Sequence, residues 1–362
     1  MSELDLLYTE VEDGLRASVR GLLNDRCSAD DVVRLYDGDR SVVDGLWKSL
    51  SVEIGLAGLL VPEDRGGEGA SAREAAVVLE ELGRTVAPVP FLTSSVIATT
   101  LLLESDTDLL GAVAAGQQTA ALAVPWSTAP DAAVPSVQVV NDRLSGVITG
   151  VAGALEADLL LVPAATASGV AVYAVAASAA RINPVVSLDM TRQIADVTVD
   201  GVAGALVNPD ATAAIRRALD AGAALLASEQ LGLARWCLET TVAYLKDRRQ
   251  FGRPLGSFQA LKHRLADLYT GVESAAAAAR YAAATLAAGD PDAPTATAIA
   301  QAYCSDLAVT AAEEAVQLHA GIGMTWEHPV HLYLKRAKAD QIALGTAGRH
   351  RTRIGQLVNL VG

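Results

Sequence analysis

The chain has 362 residues, of which 51% are hydrophobic, and a formal net charge of −14. Its length is sufficient for two or three packed domains, and the excess of acidic residues argues against nucleic-acid binding. Three cysteines without metal or redox spacing argue against a secreted disulfide scaffold. The acidic N-terminus lacks the features of a signal peptide and no stretch is apolar enough for a membrane span, so we expect a soluble cytoplasmic protein.

Residues 1–118 show a helical pattern that is interrupted by caps and turns. From residue 119 to 210 the pattern changes to short runs rich in Val and Ile, separated by turn residues, which is typical of β-strands. We expect six strands here, at 119–124, 136–140, 144–149, 157–162, 170–175 and 195–202.

After residue 210, helix returns in long Ala- and Leu-rich stretches, and the loop 289–294 separates two of them. Four helices are predicted, at 211–249, 258–288, 294–319 and 329–360. The first and third are apolar on both faces and predict an interface with another chain. The predicted fold is α+β and mainly helical, with an N-terminal α-helical domain (1–118), a middle β-barrel or sandwich domain (119–210) and a C-terminal four-helix bundle (211–362).

The first long helix is predicted to end by presenting Arg248 and Phe251, before a turn at Gly252 and Pro254. These residues are three apart, so on a helix they would share a face. A permanent cation beside an aromatic ring suits a ligand that carries both a phosphate and a flat ring system. A solvated arginine beside a core phenylalanine is the structural alternative, and this segment alone leaves both interpretations open.

A second segment favours the ligand. A predicted helix ends near Gln317 and continues into a turn with Gly321 and Gly323, and Pro329 then stands where a new helix would begin. The two glycines permit close backbone approach and a positive φ, and Gln317 supplies an amide one helical turn earlier.

In their order along the chain, these two motifs resemble those of the acyl-CoA dehydrogenase family. That family carries an Arg-x-x-Phe-Gly turn, a Gln about eight residues later, and a Gln-x-x-x-Gly-x-Gly loop before Glu-x-Pro. In this chain the matching motifs begin at Arg248, Gln259, Gln317 and Glu327. The resemblance extends to residues 55–83 and 187–202; it is strongest after residue 215 and weakest between 119 and 186.

The resemblance implies an FAD cofactor and the α,β-dehydrogenation of an acyl-CoA thioester. In the family's oligomers the flavin lies at a subunit interface, and the neighbouring subunit holds its adenosine end with the two motifs described above. His319 is a further candidate for cofactor contact, whereas the other histidines have no metal-ligand spacing. The cofactor contacts expected in this chain are Arg248, Gln250, Phe251, Phe258, Gln259, Gln317 and Gly321.

The family's catalytic base is absent at the matching positions. A carboxylate must lie against the substrate's α-carbon, because the α-proton is not acidic enough in water. The family uses the Glu of Glu-Gly-Thr, where this chain has Leu344; some relatives use the first helix of the bundle, where it has Gly222. Asp220 lies on a different face of that helix, and Asp340 lies a full turn before Leu344. We therefore assign no catalytic residue.

The segments that hold the flavin ring in the family are also altered. The family uses a Thr-Glu-Pro…Gly-Ser-Asp loop and a Lys-x-Trp-Ile-Thr/Ser-Asn strand for the ring and the thioester. The matching stretches, 123–131 and 145–155, lack most of these groups. Trp126 is either a remnant of that site or, more simply, an ordinary packed tryptophan.

The chain thus lacks residues for its own active site and keeps those that serve a neighbour. This combination resembles the partner subunits of actinobacterial α2β2 acyl-CoA dehydrogenases, which act in sterol side-chain and related acyl-CoA breakdown. A catalytic partner chain would then hold most of the acyl-CoA and pass electrons to an electron-transfer acceptor. Two alternatives stay open: a self-sufficient homo-oligomeric flavoenzyme with a displaced base, and a flavin-free scaffold of the same fold.

Overall fold

The computed structural model of the protein describes residues 4–105 and 107–360. Its N-terminal unit is helical, and three of the helices begin with capping boxes, at Thr9, Ser28 and Ser71. A π-helical segment, Phe91–Ala98, leads into the fifth helix. The helices of this unit are α1 (Glu10–Arg26), α2 (Ala29–Val33), α3 (Ser41–Lys48), α4 (Ala72–Thr85), α5 (Thr99–Leu103) and α6 (Leu109–Ala114).

The middle of the chain forms a mixed sheet of eight strands. These are β1 (Ala120–Leu122), β2 (Val137–Val140), β3 (Arg143–Ala152), β4 (Leu159–Thr166), β5 (Gly169–Ala176), β6 (Arg181–Pro184), β7 (Ile194–Val202) and β8 (Ala205–Asn208). Seven strands lie in the order β6-β7-β3-β2-β4-β5-β8. The eighth, β1, is outside this order and pairs with β4. Strand β4 runs parallel to β1 and β2, whereas the other pairs are antiparallel. Strands β6 and β8 have no counterpart among the six predicted runs.

The sheet packs on both of its faces. One face has its own apolar core, to which Ile148, Leu160 and Val197 belong. On the other face, Leu161 and Val172 join the larger core that the helices share. Strand β4 is therefore buried on both faces, which explains its continuous apolar sequence. The mainly helical α+β class is confirmed, while the division into three domains stays a prediction.

The C-terminal unit contains α7 (Thr212–Asp247), α8 (Gln259–Ala288), α9 (Ala293–Leu318), α10 (Val330–Asp340) and α11 (Ala347–Leu357). The prediction of one helix over 329–360 is wrong. Residues 341–346 form a turn in which Leu344 and Gly345 have φ values of 52° and 101°, and α-helix requires a negative φ. Thr346 then caps α11.

Helix α7 is the central helix of the chain. Helices α4, α8 and α9 surround it, and most of its residues are buried. The expectation that its apolar faces need another chain is therefore wrong, because its own chain covers them. Helix α9 still exposes Ile299 and Tyr303. Within the two described ranges, no helix is long and apolar enough to cross a membrane.

Candidate cofactor half-site and the closed interior

A short hairpin follows α7. Its strands are β9 (Arg249–Gln250) and β10 (Arg253–Pro254), and the turn between them consists of Phe251 and Gly252, with φ values of 53° and 75°. Positive φ at both positions defines a type I′ turn. The prediction that Arg248 and Phe251 share a helical face is therefore wrong, because α7 ends at Asp247.

This turn presents the Phe251 side chain to solvent, where it is 86% exposed. A positive φ at a bulky residue costs about 1–3 kcal/mol and persists where the surroundings impose it. The Phe258 ring lies 6.1 Å away, edge to face, and the Arg253 guanidinium lies 3.8 Å above that second ring. The hairpin thus displays an aromatic edge beside several cations.

Arg248 lies at the junction of α7 and the hairpin. Its backbone N–H donates to Tyr244, and its carbonyl accepts a 2.8 Å hydrogen bond from Leu255. The exposed guanidinium has no acidic group within 4.0 Å among the described residues, so the alternative of a pair with Asp247 has no support. The cation is available to a ligand.

The second predicted segment lies beside the end of α7. The rings of Tyr244 and His319 are 4.6 Å apart, which joins the C-terminal ends of α7 and α9. His319 is buried, and its Nδ1 donates to the Ala315 carbonyl at 2.7 Å. Burial lowers the pKa of His319, which favours the neutral ring. The fold therefore places the two motifs next to each other, with His319 as a packing residue between them.

The two glycines of the second segment serve different purposes. A Cβ at Gly323 would lie 2.6 Å from the Val316 carbonyl oxygen, so the loop itself requires glycine there. A Cβ at Gly321 would meet no atom of the chain within 4 Å. A positive φ, which these glycines would permit, occurs instead at Ala320. The open side of Gly321 faces space that a ligand or another chain can use.

The predicted amide side chains are free. Gln250, Gln259 and Gln317 are exposed, and none of the three side chains has a hydrogen-bond partner among the residues described. Gln259 begins α8 and Gln317 lies in the last turn of α9. Together with the unpaired guanidinium and the exposed ring, they fit a ligand with phosphate groups and a flat heterocycle.

The interior around Leu344 is closed. The Leu344 N–H donates to the Trp126 carbonyl oxygen at 2.8 Å, and His350 Nε2 donates to the Leu344 carbonyl at 3.0 Å. A Cβ at Gly222 would lie 2.7 Å from Ile97 and 3.2 Å from the Leu344 side chain. The cavity left between them has a volume of about 10 Å³, which is the lower limit for one water molecule.

Trp126 separates this small cavity from a larger cleft. The cleft has a volume of about 360 Å³, and Leu188, Arg192, Ile194 and Ile342 are among its lining residues. Trp126 borders both spaces. Trp126 therefore lies between the sheet and the end of α10, and the sequence pattern alone does not reveal this position.

The floor of the cleft continues into a buried ionic network. Arg192 contacts Glu229 at 2.5 Å and Asp340 at 2.6 Å, and Arg336 contacts Asp189 at 2.7 Å and Glu229 at 2.6 Å. Burial acts to raise the pKa of Glu229, but the two arginines lower it overall. The sequence pattern did not reveal this network, although a glutamate within an Ala- and Leu-rich helix was a signal for it.

The two acids considered as substitute bases are both engaged elsewhere. Asp220 accepts hydrogen bonds of 2.6 and 3.1 Å from Arg353. Asp340 is completely buried and bonded to Arg192, and burial raises its pKa to about 8. Neither residue lines the cavity beside Leu344.

Comparison with known proteins agrees with this geometry. Residues 9–108 match the N-terminal domain of acyl-CoA dehydrogenases, and residues 212–358 match their C-terminal domain. Acyl-CoA dehydrogenase IpdE2 of Mycolicibacterium smegmatis is 35% identical over 337 residues, which cover 93% of this chain and 95% of the relative. The chain belongs to the acyl-CoA dehydrogenase family.

Two solved structures from this family are heteromers by name. The Tcur3481-Tcur3483 steroid ACAD variant has a TM-score of 0.84 and 30% identity, covering 97% of this chain and 98% of its own. The ChsE4-ChsE5 complex of Mycobacterium tuberculosis has a TM-score of 0.87 and 27% identity, covering 99% and 100%. The fold of this acyl-CoA dehydrogenase chain is therefore that of the family over nearly its whole length.

FAD is the cofactor of the family, and one part of this chain fits that cofactor while another bears on the acyl-CoA substrate. The segment around Arg248 and Gly321 offers an unpaired cation, free amides and open space, which fit a pyrophosphate and an adenosine. The region between Leu344 and Gly222 offers neither a carboxylate nor room for an acyl chain. The first part therefore fits FAD, whereas the second part lacks what an acyl-CoA site needs.

Proposed function

We propose that this acyl-CoA dehydrogenase chain is the partner subunit of an FAD-dependent heteromer, in an α2β2 assembly whose other chain carries the catalytic glutamate. FAD supplies the hydride acceptor of the reaction. This chain contributes Arg248, Phe251 and Gln317 to the adenosine end of the FAD in its partner's site. The proposal rests on the contrast between two regions. The half-site, formed by Arg248, Phe251, Gln317 and Gly321, is open, whereas the interior around Leu344 is filled.

The filled interior supports a non-catalytic role. Pockets for small molecules have volumes of about 300–1,000 Å³, and the cavity beside Leu344 has about 10 Å³. An acyl chain could reach Gly222 only if Ile97, Leu344 or Trp126 moved. Because closely packed interiors resist such movement, the substrate has no place at this chain's two base positions.

The open half-site supports a role in another chain's cofactor site. The Arg248 guanidinium has no carboxylate partner in the described part of the chain, although the protein as a whole is strongly acidic. An arginine forms paired, charge-assisted hydrogen bonds with phosphate oxygens. Phe251, held outward in a strained turn, gives a flat surface on which a purine can stack.

The relatives suggest the class of substrate. One similar heteromer is described as a steroid ACAD, so we propose an acyl-CoA from sterol side-chain or fatty-acid β-oxidation. The partner would form most of the pocket for that acyl group. The electrons would leave through an electron-transfer acceptor, as in the family.

A turnover assay tests the proposed function. The chain, supplied with FAD and acyl-CoAs of several lengths, is compared with the same chain co-expressed with an acyl-CoA dehydrogenase from its own organism that carries Glu-Gly-Thr. We expect no reduction of an electron acceptor by this chain alone and rapid reduction by the complex. Turnover by the chain alone would support the displaced-base enzyme, and a complex without flavin would support the scaffold.

A further inference from the structure

A second exposed surface lies beside the half-site and has no assigned role. We name it the Lys335 surface and define it by Tyr36, Leu188, Trp326, His331 and Lys335. Trp326 is 60% exposed and Leu188 is 59% exposed. Tyr36 joins the two: its hydroxyl donates to the Leu188 carbonyl at 3.4 Å, and its ring lies edge to face with Trp326 at 5.5 Å. Three distant segments thus form one apolar surface.

Two further exposed apolar side chains lie next to this surface in the sequence. Val186 is 92% exposed and precedes Leu188, and Met324 is 83% exposed and precedes Trp326. Single exposed apolar residues are common on proteins, but a contiguous group of large ones indicates an interaction site. Met324 follows the Gly321–Gly323 turn directly, so the surface is continuous with the half-site.

The centre of the surface is a cation between aromatic rings. The Lys335 ammonium lies 3.8 Å from the centre of the Trp326 ring and 4.0 Å from that of Tyr36. It also donates to His331 Nδ1 at 3.4 Å. Burial lowers the pKa of His331 to about 4, so this imidazole is neutral at pH 7 and adds no charge. No carboxylate in residues 4–105 or 107–360 lies within 4.0 Å of the ammonium.

We propose that the Lys335 surface binds an acidic side chain of the catalytic partner chain, surrounded by apolar side chains of that chain. An interface that covers this ammonium is stabilised by an anion on the partner, because burying the charge alone is costly and burial already lowers the pKa of Lys335. The two rings fix the position of the ammonium, and its remaining N–H groups can donate to a carboxylate.

A second copy of this chain does not fit the same place. A two-fold contact centred on this patch would bring the two Lys335 cations together without an acid between them. A different chain avoids this repulsion. The inference rests on the proposed function, because the partner that receives the half-site would also cover the adjoining Lys335 surface.

Charge reversal tests the proposal. This chain, as wild type, Lys335→Glu or Lys338→Glu, is co-expressed with the Glu-Gly-Thr chain, and the dissociation constant of the complex is measured with FAD in excess. Lys338 is the matched control, because it lies three residues further on α10 and pairs with Glu313 at 2.8 Å. We expect Lys335→Glu to weaken association by about tenfold or more and Lys338→Glu to change it by less than about threefold.

Zero-length coupling of amines to carboxylates with a carbodiimide gives a second readout on the unmodified complex. A peptide that joins Lys335 to an Asp or Glu of the partner supports the proposal. Equal affinities for the two variants, or a Lys335 link to a second copy of this chain, would overturn it while leaving the proposed function intact. If the wild-type chains do not associate at all, the proposed function fails instead.

Discussion

The backbone N–H of Leu344 donates a 2.8 Å hydrogen bond to the carbonyl oxygen of Trp126. This bond fixes the turn between α10 and α11 against the loop that follows β1. It also holds the Leu344 side chain, in a left-handed backbone conformation, inside the apolar space next to Gly222. The position that the resemblance assigns to the family's base therefore holds a packed leucine, and the packing around it leaves no room for a substrate.

Leu344→Glu should accordingly fail to create a dehydrogenase. A carboxylate buried without a partner in this space should lower the free energy of unfolding by about 3–5 kcal/mol, whereas Leu344→Met should cost less than about 1.5 kcal/mol. Chemical denaturation and an acyl-CoA assay on both variants check this. A stable Leu344→Glu chain that turns over acyl-CoA on its own would contradict the closed interior.

Arg248→Ala should weaken FAD retention in the complex by roughly ten- to a hundredfold, because the pyrophosphate loses a charge-assisted pair of hydrogen bonds. Arg248→Lys should restore only part of it, since lysine lacks the planar fork. Arg264→Ala is the control, because Arg264 is exposed and pairs with Glu314 in its own chain. Equal flavin absorbance for all variants, at dilutions near the dissociation constant, would remove Arg248 from the site.

Asp340 should give the stability a distinctive pH dependence. Burial raises its pKa to about 8, whereas in an unfolded chain it is about 3.9. Between these values the folded chain holds a proton that the unfolded chain has lost, so the free energy of unfolding falls as pH rises and levels off above about pH 8.

Asp340→Asn keeps an acceptor oxygen for Arg192 and removes the titration. Its thermal stability should therefore depend less on pH than that of the wild type between about pH 6 and about pH 9. The largest expected difference in slope is about 1.4 kcal/mol per pH unit. Identical slopes for the two proteins would show that Asp340 is ionised in the folded state across this range.

The crossing of α4 and α7 depends on two glycines. A Cβ at Gly232 would lie 2.0 Å from the Glu80 carbonyl oxygen, and one at Gly83 would lie 2.2 Å from that of Glu229. Gly232→Ala should lower the free energy of unfolding by about 1–3 kcal/mol or more. Gly14→Ala, where the new methyl group meets no atom within 4 Å, should be neutral or stabilise by up to about 1 kcal/mol. Similar denaturation midpoints for both variants would refute this packing.

The parts of the fold that depend on local signals could be predicted from the sequence. The start of α8 at Gln259 and of α10 after Pro329 follows from turn chemistry and from proline at a helix start. The motifs around Arg248 and Gln317 could be recognised because each consists of residues close together in the sequence. Their adjacency in space was an inference from the family, which the Tyr244–His319 contact now supports.

The features that the sequence did not reveal depend on long-range contacts. The break after α10 requires the carbonyl of Trp126, more than 200 residues earlier, and no local pattern predicts such a bond. The hairpin after α7 replaces a helical turn because Leu255 donates back to the Arg248 carbonyl. The buried network needs Arg192 from a turn, Glu229 from α7 and Arg336 from α10, and periodicity alone cannot pair them.

The ratio of FAD to polypeptide in the purified heteromer decides whether this chain holds a flavin of its own. Flavin absorbance, with the two chains quantified separately, should give one FAD for each pair of this chain and its Glu-Gly-Thr partner, and no retained FAD for this chain alone. One FAD for every chain, in the heteromer or in a pure preparation of this protein, would show that its own interior holds a flavin and would contradict the account.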